Sequence, residues 1–407
     1  MVTLMSATGF FNLWLDGQVE ETRKEVFLPL HWYLHLHCCG CEIPWDVQAR
    51  PKPNPKPASG SKVLPSTDLW PDHHPPQQHQ ALAGVSLHGS EDVMCQIPQN
   101  CNATHVTLLT QPESVKVSEQ TWLPIRNKKN NGKEEKRLQF DFTVCISNLF
   151  EFNNALQYAQ TLEMYRLLGV DRVVIYNTSC GPELDRLLHS YSQEGFVEMV
   201  PWPINKHLNP SRGWLFSKYG GDMHYFGQLA TLNECIYRSM DRSRYVLLHD
   251  IDEIIMPYQH DSLTPLMDML QQQHPKAGVF LVENHIYPKK PFEESKRGPL
   301  PHWRGVPGFN ILEHIYKWEP DRAAEYHPYK LIIQPRMVEQ TSVHLVLKMF
   351  GEQFKIPPEL CHIVHAPLST PTVQPLEKIH VDTRLWDFKD ELIPNVNNVL
   401  RRAGLLY

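Results

Sequence analysis

From about residue 140 onward, apolar residues alternate between strand-like runs and helix-spaced stripes. Phe142-Thr-Val-Cys-Ile146 has the β-branched, apolar character of a buried strand. Over 153–168, Leu156, Ala159, Leu162 and Tyr165 recur at near-helical spacing, and Gly169 ends the run, which predicts a helix. Asp171-Arg-Val-Val-Ile-Tyr176 predicts a second strand, 184–191 a helix, and Phe196-Val-Glu-Met-Val200 a third strand. A long helix is expected over 221–240, feeding a fourth strand, Tyr245-Val-Leu-Leu248; a fifth is Gly278-Val-Phe-Leu-Val282. Strands alternating with helices at this spacing predict an α/β fold, a mostly parallel sheet with helices on both faces. Ligands of such sheets bind beyond the carboxyl ends of the strands.

The first ninety residues read differently. Pro51-Lys-Pro-Asn-Pro-Lys-Pro57 and Asp72-His-His-Pro-Pro-Gln-Gln-His79 have the composition of a linker, too poor in apolar residues to offset chain entropy. The expected organisation is a low-complexity, Pro-rich region or stalk over 1–90, a leading segment over 91–141 and a catalytic domain over 142–407. With 39 Lys+Arg against 45 Asp+Glu the chain is mildly acidic, and its one basic run, 128–137, is interrupted by Glu134 and Glu135. A nucleic-acid partner is therefore not expected. No run reaches the roughly 18 apolar residues of a membrane-spanning helix, and no clear signal peptide is read. The 9 cysteines are scattered, and the His31–Cys41 cluster lacks the two spaced pairs of a zinc site. Two sequons, at Asn102 and Asn177, fit a lumenal glycoprotein, as would a Cys95–Cys101 pair.

The chemistry concentrates at the end of the fourth strand, where His249-Asp250-Ile251-Asp252-Glu253 precedes Ile254-Ile-Met-Pro257. Three carboxylates there repel one another unless a cation or polar ligand accompanies them. Alternation places Asp250 and Asp252 on one side and Ile251 in the core. Two hard oxygen ligands facing one way suit Mn²⁺ or Mg²⁺ when phosphate and water complete the shell. Such a cation would neutralise a diphosphate leaving group, so the natural chemistry is transfer from a nucleotide sugar.

Tyr245-Val-Leu-Leu-His-Asp-Ile-Asp-Glu-Ile-Ile-Met-Pro257 resembles the nucleotide-sugar motif of the family 92 glycosyltransferases, a galactosyltransferase-like group. Leu167-Leu-Gly-Val-Asp-Arg-Val-Val-Ile-Tyr176, Gln228-Leu-Ala-Thr-Leu-Asn-Glu-Cys235, Tyr329-Lys-Leu-Ile-Ile-Gln-Pro335 and Thr341-Ser-Val-His344 are similar to the same family, in the same order. The resemblance spans roughly residues 142–406. It implies a GT-A fold, a UDP-sugar donor (UDP-galactose), Mn²⁺, inversion at the anomeric carbon, a glycoprotein or glycolipid glycan as acceptor, and a Golgi membrane or secretory-lumen location. Where the family tends to have His-Tyr-Arg near its C-terminus, this chain reads His365-Ala-Pro367.

On that resemblance Asp252 is the direct metal ligand, and Asp250 holds the metal through water or binds the ribose. His365 and His344 are the candidate imidazole ligands, a donor type suited to such cations. Donor contacts are expected from Ser147, Asn148 and Glu151 after the first strand, from Tyr176 and Asn177 after the second, and from Gln228. The base that takes the acceptor proton is expected to be Glu283, at the end of the fifth strand, with Glu253 as the alternative. Trp303, Tyr316 and Trp318 offer an aromatic platform for a sugar, or core packing. Two other readings remain at this point: a silent sugar- or nucleotide-binding module, which the His365-Ala-Pro367 departure favours, and a metal-dependent phosphohydrolase, which needs further ligands for a second metal.

Overall fold

The computed structural model describes residues 138–213, 216–289, 303–320, 328–367 and 379–407, together with short strands ahead of them. The chain divides into two compact units, Met1–Lys133 and Glu134–Tyr407. In the first, the antiparallel strands His31–Cys38 and Cys41–Gln48 belong to a four-stranded sheet with Ala103–Leu109 and Leu123–Pro124. Ordered pairing thus begins well ahead of the expected domain. The proline-rich run 51–57, the polar run 72–79, Cys95, Cys101 and Asn102 lie outside the described residues.

The second unit is built on a nine-stranded sheet. We number its elements β1 (Phe140–Leu149), α1 (Ala155–Leu167), β2 (Arg172–Asn177), α2 (Pro182–Gln193), β3 (Val197–Pro201), α3 (Gln228–Ser239), β4 (Ser243–Leu248) and β5 (Glu253–Pro257). They continue as α4 (Leu263–Gln273), β6 (Ala277–Ile286), β7 (Tyr329–Ile333), β8 (Glu352–Lys355), β9 (Cys361–His365) and α5 (Lys389–Arg402). The sheet order is β3-β2-β1-β4-β7-β6-β9-β5, with β8 also on β6. The β3-β2-β1-β4 half is wholly parallel; β7 runs antiparallel to both β4 and β6, and β5 antiparallel to β9. The expected α/β, mostly parallel sheet is present.

Alternation along β1 explains how both faces are covered. Phe142, Val144 and Ile146 point into the main apolar core, which takes in buried side chains of α1, α2 and α5. Thr143, Cys145 and Ser147 face the other way, and there α3 packs on β1. Cys145 of β1 and Cys235 of α3 form a disulfide, a pairing their wide separation hides in the sequence. On the same face Tyr176 is fully buried and its hydroxyl donates to Glu234 of α3.

The long helix expected over 221–240 is not continuous. Tyr225, Phe226 and Gly227 all have positive φ, so α3 starts only at Gln228. Gly227 has φ 72°, and a Cβ there would stand 2.8 Å from Met223 Sδ. The break turns the chain so that Gln228, the first residue of α3, meets the carboxyl end of β1.

Candidate active site

The acidic motif sits at the carboxyl ends of β4 and β1, where the parallel half meets the antiparallel strands. Because β7 runs against β4, its first residues lie beside the end of β4: Leu331 pairs with Leu248. Lys330, one residue earlier, is 2% exposed and places its Nζ 2.7 Å from Asp250 Oδ2 and 3.1 Å from Glu253 Oε2. The sequence reading missed this residue. A lone lysine inside the apolar strand Tyr329-Lys-Leu-Ile-Ile333 was its signal, since a buried ammonium requires paired anions.

β5 and β9 fix the second half of the site. Glu253 pairs in register with His365, and Ala366 N–H donates to the Asp252 carbonyl at 2.8 Å. His365 Nε2 therefore comes to 3.3 Å from Asp252 Oδ2, and its Nδ1 lies 3.8 Å from Glu253 Oε1. Asn284 of β6 reaches the same place, its Nδ2 3.4 Å from both Glu253 Oε1 and His365 Nδ1. Behind the motif, the buried Tyr165 hydroxyl donates to the Glu253 carbonyl at 3.0 Å and meets His249 Nδ1 at 3.2 Å.

These contacts set the charges. Burial opposes ionisation of Asp250, but the Lys330 ammonium outweighs it and holds the carboxyl below its ordinary range. For Glu253 burial wins, and its carboxyl is raised. Glu253 also accepts the Asp250 N–H at 2.9 Å, so it braces the turn of the motif. Burial would lower His365, yet the hydrogen bond it donates to Asp252 and the charges of Glu253, Asp252 and Asp250 push it up to about 9. The carboxylate crowding anticipated from the sequence is relieved by the chain's own Lys330 and His365.

The expected donor residues divide. Gln228 Nε2 donates to Ser147 Oγ at 3.0 Å and lies 3.5 Å from Asp250 Oδ1, while its own Oε1 is buried without a partner. Asn148 Nδ2 donates to the Tyr225 carbonyl at 2.8 Å, and its Oδ1 accepts from Thr231 at 3.3 Å. Ser147, Asn148, Gln228 and Asp250 thus form one connected group. Tyr176 is buried against α3, away from it. Asn177 is half-buried, with Nδ2 3.8 Å from Cys180 Sγ. Glu151 is exposed at φ 48°, its carboxylate 3.8 Å from Arg212.

Beside that group opens a cleft of about 410 Å³, with Phe150, Lys206, His207, Arg212 and Phe226 among its lining residues. Phe150 and Phe226 stack at 3.7 Å between ring centres, and the Arg212 guanidinium lies over Phe150. Among the described residues, the non-glycine positions with positive φ are Glu151, Tyr225 and Phe226, which adjoin or line this cleft. Strained backbone of this kind gathers at ligand sites.

Of the other expected residues, Glu283 lies apart, while His344 stands close enough to Lys330, Asp250 and His365 to feel their charges. Glu283 has no exposure; its oxygens are 3.0 Å from His285 Nε2 and 3.5 Å from Lys355 Nζ. Asn284 faces the acidic cluster, so alternation along β6 turns Glu283 to the opposite face of the sheet. His344 places Nδ1 3.0 Å from the Tyr329 carbonyl, and burial lowers its basicity. Trp303 and Trp318 are buried and Tyr316 is half-buried, so the two tryptophans offer no open platform.

A family model described as Glycosyltransferase family 92 matches residues 140–398. The chain belongs to glycosyltransferase family 92. Its match runs from the first strand of the sheet into α5, taking in every residue of the acidic cluster. The family 92 protein F13G3.3 of Caenorhabditis elegans is 22% identical over 222 residues, which is 54% of this chain and 41% of that protein. The beta-1,4-galactosyltransferase galt-1 of the same organism is 25% identical over 175 residues, 40% of this chain and 36% of that protein. The chain thus spans less than half the length of these curated relatives. A crystal structure of S. aureus TarS is similar at 11% identity and a TM-score of 0.27, over 48% of this chain and 28% of that one. This family 92 chain has no described helix long and apolar enough to cross a membrane.

Proposed function

We propose that this family 92 chain transfers a sugar, galactose, from a UDP-sugar to a glycan hydroxyl with inversion, at a site that uses Mn²⁺ or Mg²⁺. The observation that carries the reading is the Asp252–His365 pair. Adjacent octahedral ligands at about 2.1 Å from a cation lie about 3 Å apart, and the two side chains present Oδ2 and Nε2 at 3.3 Å. Both are partly exposed, at 29% and 22%, so they are accessible from solvent rather than closed into the core. Carboxylate and neutral imidazole together suit Mn²⁺, so a bound cation would take the place of the proton on His365, and water and diphosphate oxygens would fill the remaining positions. Among the described residues no group of three or more His, Cys, Asp and Glu side chains is arranged to hold a metal ion, so in this reading water and diphosphate would have to supply every ligand beyond the pair.

When bound, the cation supplies charge neutralisation to the departing UDP. The chain's own residues do the rest. Gln228 has one amide hydrogen on Ser147 and an unpartnered Oε1, and its position beside Asp250 suits a ribose or sugar hydroxyl. The cleft supports the nucleoside: a ring can lie against the Phe150–Phe226 pair while Lys206 and Arg212 face the phosphates. Glu253 orients the motif from below. The glycan acceptor and a secretory-pathway location follow from the family and form part of the proposal; the Cys145–Cys235 disulfide supports an oxidising compartment.

The test is UDP affinity by calorimetry with Mn²⁺ and with a chelator. The reading expects binding that depends on the cation. UDP binding unaffected by the chelator would remove the metal from it, and no binding in either condition would remove the nucleotide.

A further inference from the structure

Lys330 has no place in the chemistry assigned so far, yet it is as deeply buried as any charged group at the site. Its strand lies between β4 and β6, in register with Val282, so the side chain rises from the middle of the sheet. The ammonium is held between Asp250 Oδ2 and Glu253 Oε2, at 2.7 and 3.1 Å. Asp250 is nonetheless 43% exposed, so it carries a neutralised oxygen beneath and an open one, Oδ1, toward Gln228. Asp252 has no such lysine; its partner is the imidazole of His365.

We propose that Lys330 is a resident cation that divides the labour of the acidic motif. It occupies the charge-compensating position beside Asp250 and keeps that carboxylate a hydrogen-bond acceptor. The Asp252–His365 pair is then the part of the motif left open to a divalent ion. The inference rests on the nucleotide-sugar reading above. It makes Lys330 a positioning residue: buried against Asp250 and Glu253, it acts through Asp250 and decides what that carboxylate binds. An ammonium this close to a carboxylate competes with any second cation for it through Coulomb repulsion, which is little screened at a buried position.

That role predicts shifts of opposite sign, which a merely structural lysine would not give. In the full chain, Lys330→Met leaves Asp250 and Glu253 without their counter-charge. Nucleotide-free protein should then bind Mn²⁺ about tenfold more tightly, while UDP at saturating Mn²⁺ should bind about tenfold more weakly. Removing both members of the pair, as Lys330→Met with Asp250→Asn, leaves the net charge of the site as in the parent. Its Mn²⁺ affinity should return to within about threefold of the parent value.

Mn²⁺ binding is read by electron paramagnetic resonance and UDP binding by calorimetry, with thermal melting as the folding control. A folded Lys330→Met protein with unchanged or weaker Mn²⁺ binding overturns the inference. If that variant does not fold, the double variant decides. Parent-like Mn²⁺ affinity supports the division, and loss of Mn²⁺ binding places Asp250 among the ligands and overturns it. A parent that binds neither Mn²⁺ nor UDP overturns the nucleotide-sugar reading and this inference together. A parent that binds both, with variants that do not shift, overturns the inference alone.

Discussion

Asp252 Oδ2 and His365 Nε2 stand 3.3 Å apart although 113 residues separate them in the chain. The antiparallel pairing of β5 with β9 makes this meeting, since Glu253 and His365 share a register position and the Ala366 amide closes on the Asp252 carbonyl. The departure from the family pattern after His365 leaves this contact in place. Ala366 needs only its backbone to hold Asp252, and its side chain is buried.

If the pair carries the cation, Asp252→Ala should abolish Mn²⁺-dependent UDP binding, a loss of about tenfold or more in affinity. The fold should persist, because the Asp252 side chain is partly exposed and braces no core element. Calorimetry with UDP and Mn²⁺, beside a melting curve, checks both halves. Parent-like affinity in the variant would move the metal elsewhere.

Glu283→Gln should leave turnover within about threefold of the parent and cost about 1–3 kcal/mol of stability. The carboxylate is buried on the far face of β6 with His285 and Lys355, so its loss weakens packing rather than proton transfer. A fall of about 10²-fold or more at unchanged UDP affinity would instead restore Glu283 as the base.

The Cys145–Cys235 disulfide joins β1 to α3 across a separation of 90 residues. Replacing both cysteines by alanine should lower stability by about 2–4 kcal/mol. A peptide map without reductant locates the bond directly. Two free thiols at these positions in protein secreted by cells would contradict it.

Asp382 accepts from the hydroxyls of Tyr258 and Tyr287, each at 2.8 Å, and from the Arg384 amide at 3.1 Å. Burial opposes its ionisation, but hydrogen bonds from His362, the Arg384 amide and both tyrosines outweigh it and hold the carboxyl well below the ordinary carboxylate range. A depressed carboxyl contributes stability above its unfolded value, near pH 3.9, and loses it as pH falls further toward the folded value. Asp382→Asn should therefore lower the melting temperature at pH 6 and make much less difference near pH 2. An equal loss at both values would assign the effect to shape rather than charge.

Much of this was legible in the sequence where local pattern and long-range order agree. The parallel strands around 142–146, 171–176, 196–200 and 245–248 were visible because buried strands are continuous apolar runs, and the acidic motif stood out by interrupting one. β7 and β9 were harder to read, because strands that pair antiparallel across the sheet need no connecting helix to announce them. Lys330 reaches Asp250 only through that pairing. Glu283 looked well placed because it ends an apolar run, but the face it takes depends on the sheet's alternation and register rather than on its position in the sequence. The helix break at Tyr225–Gly227 was hidden because two of its three residues are aromatic, with no local preference for positive φ.

The most direct test of the central claim is UDP release from a panel of UDP-sugars, with Mn²⁺ or chelator, and with or without a panel of glycan acceptors. The account predicts acceptor-dependent UDP release, greatest with UDP-galactose, lost on chelation and lost again in Asp252→Ala. UDP that binds with Mn²⁺ but is released from none of the donors with any acceptor would contradict transfer and leave a binding module.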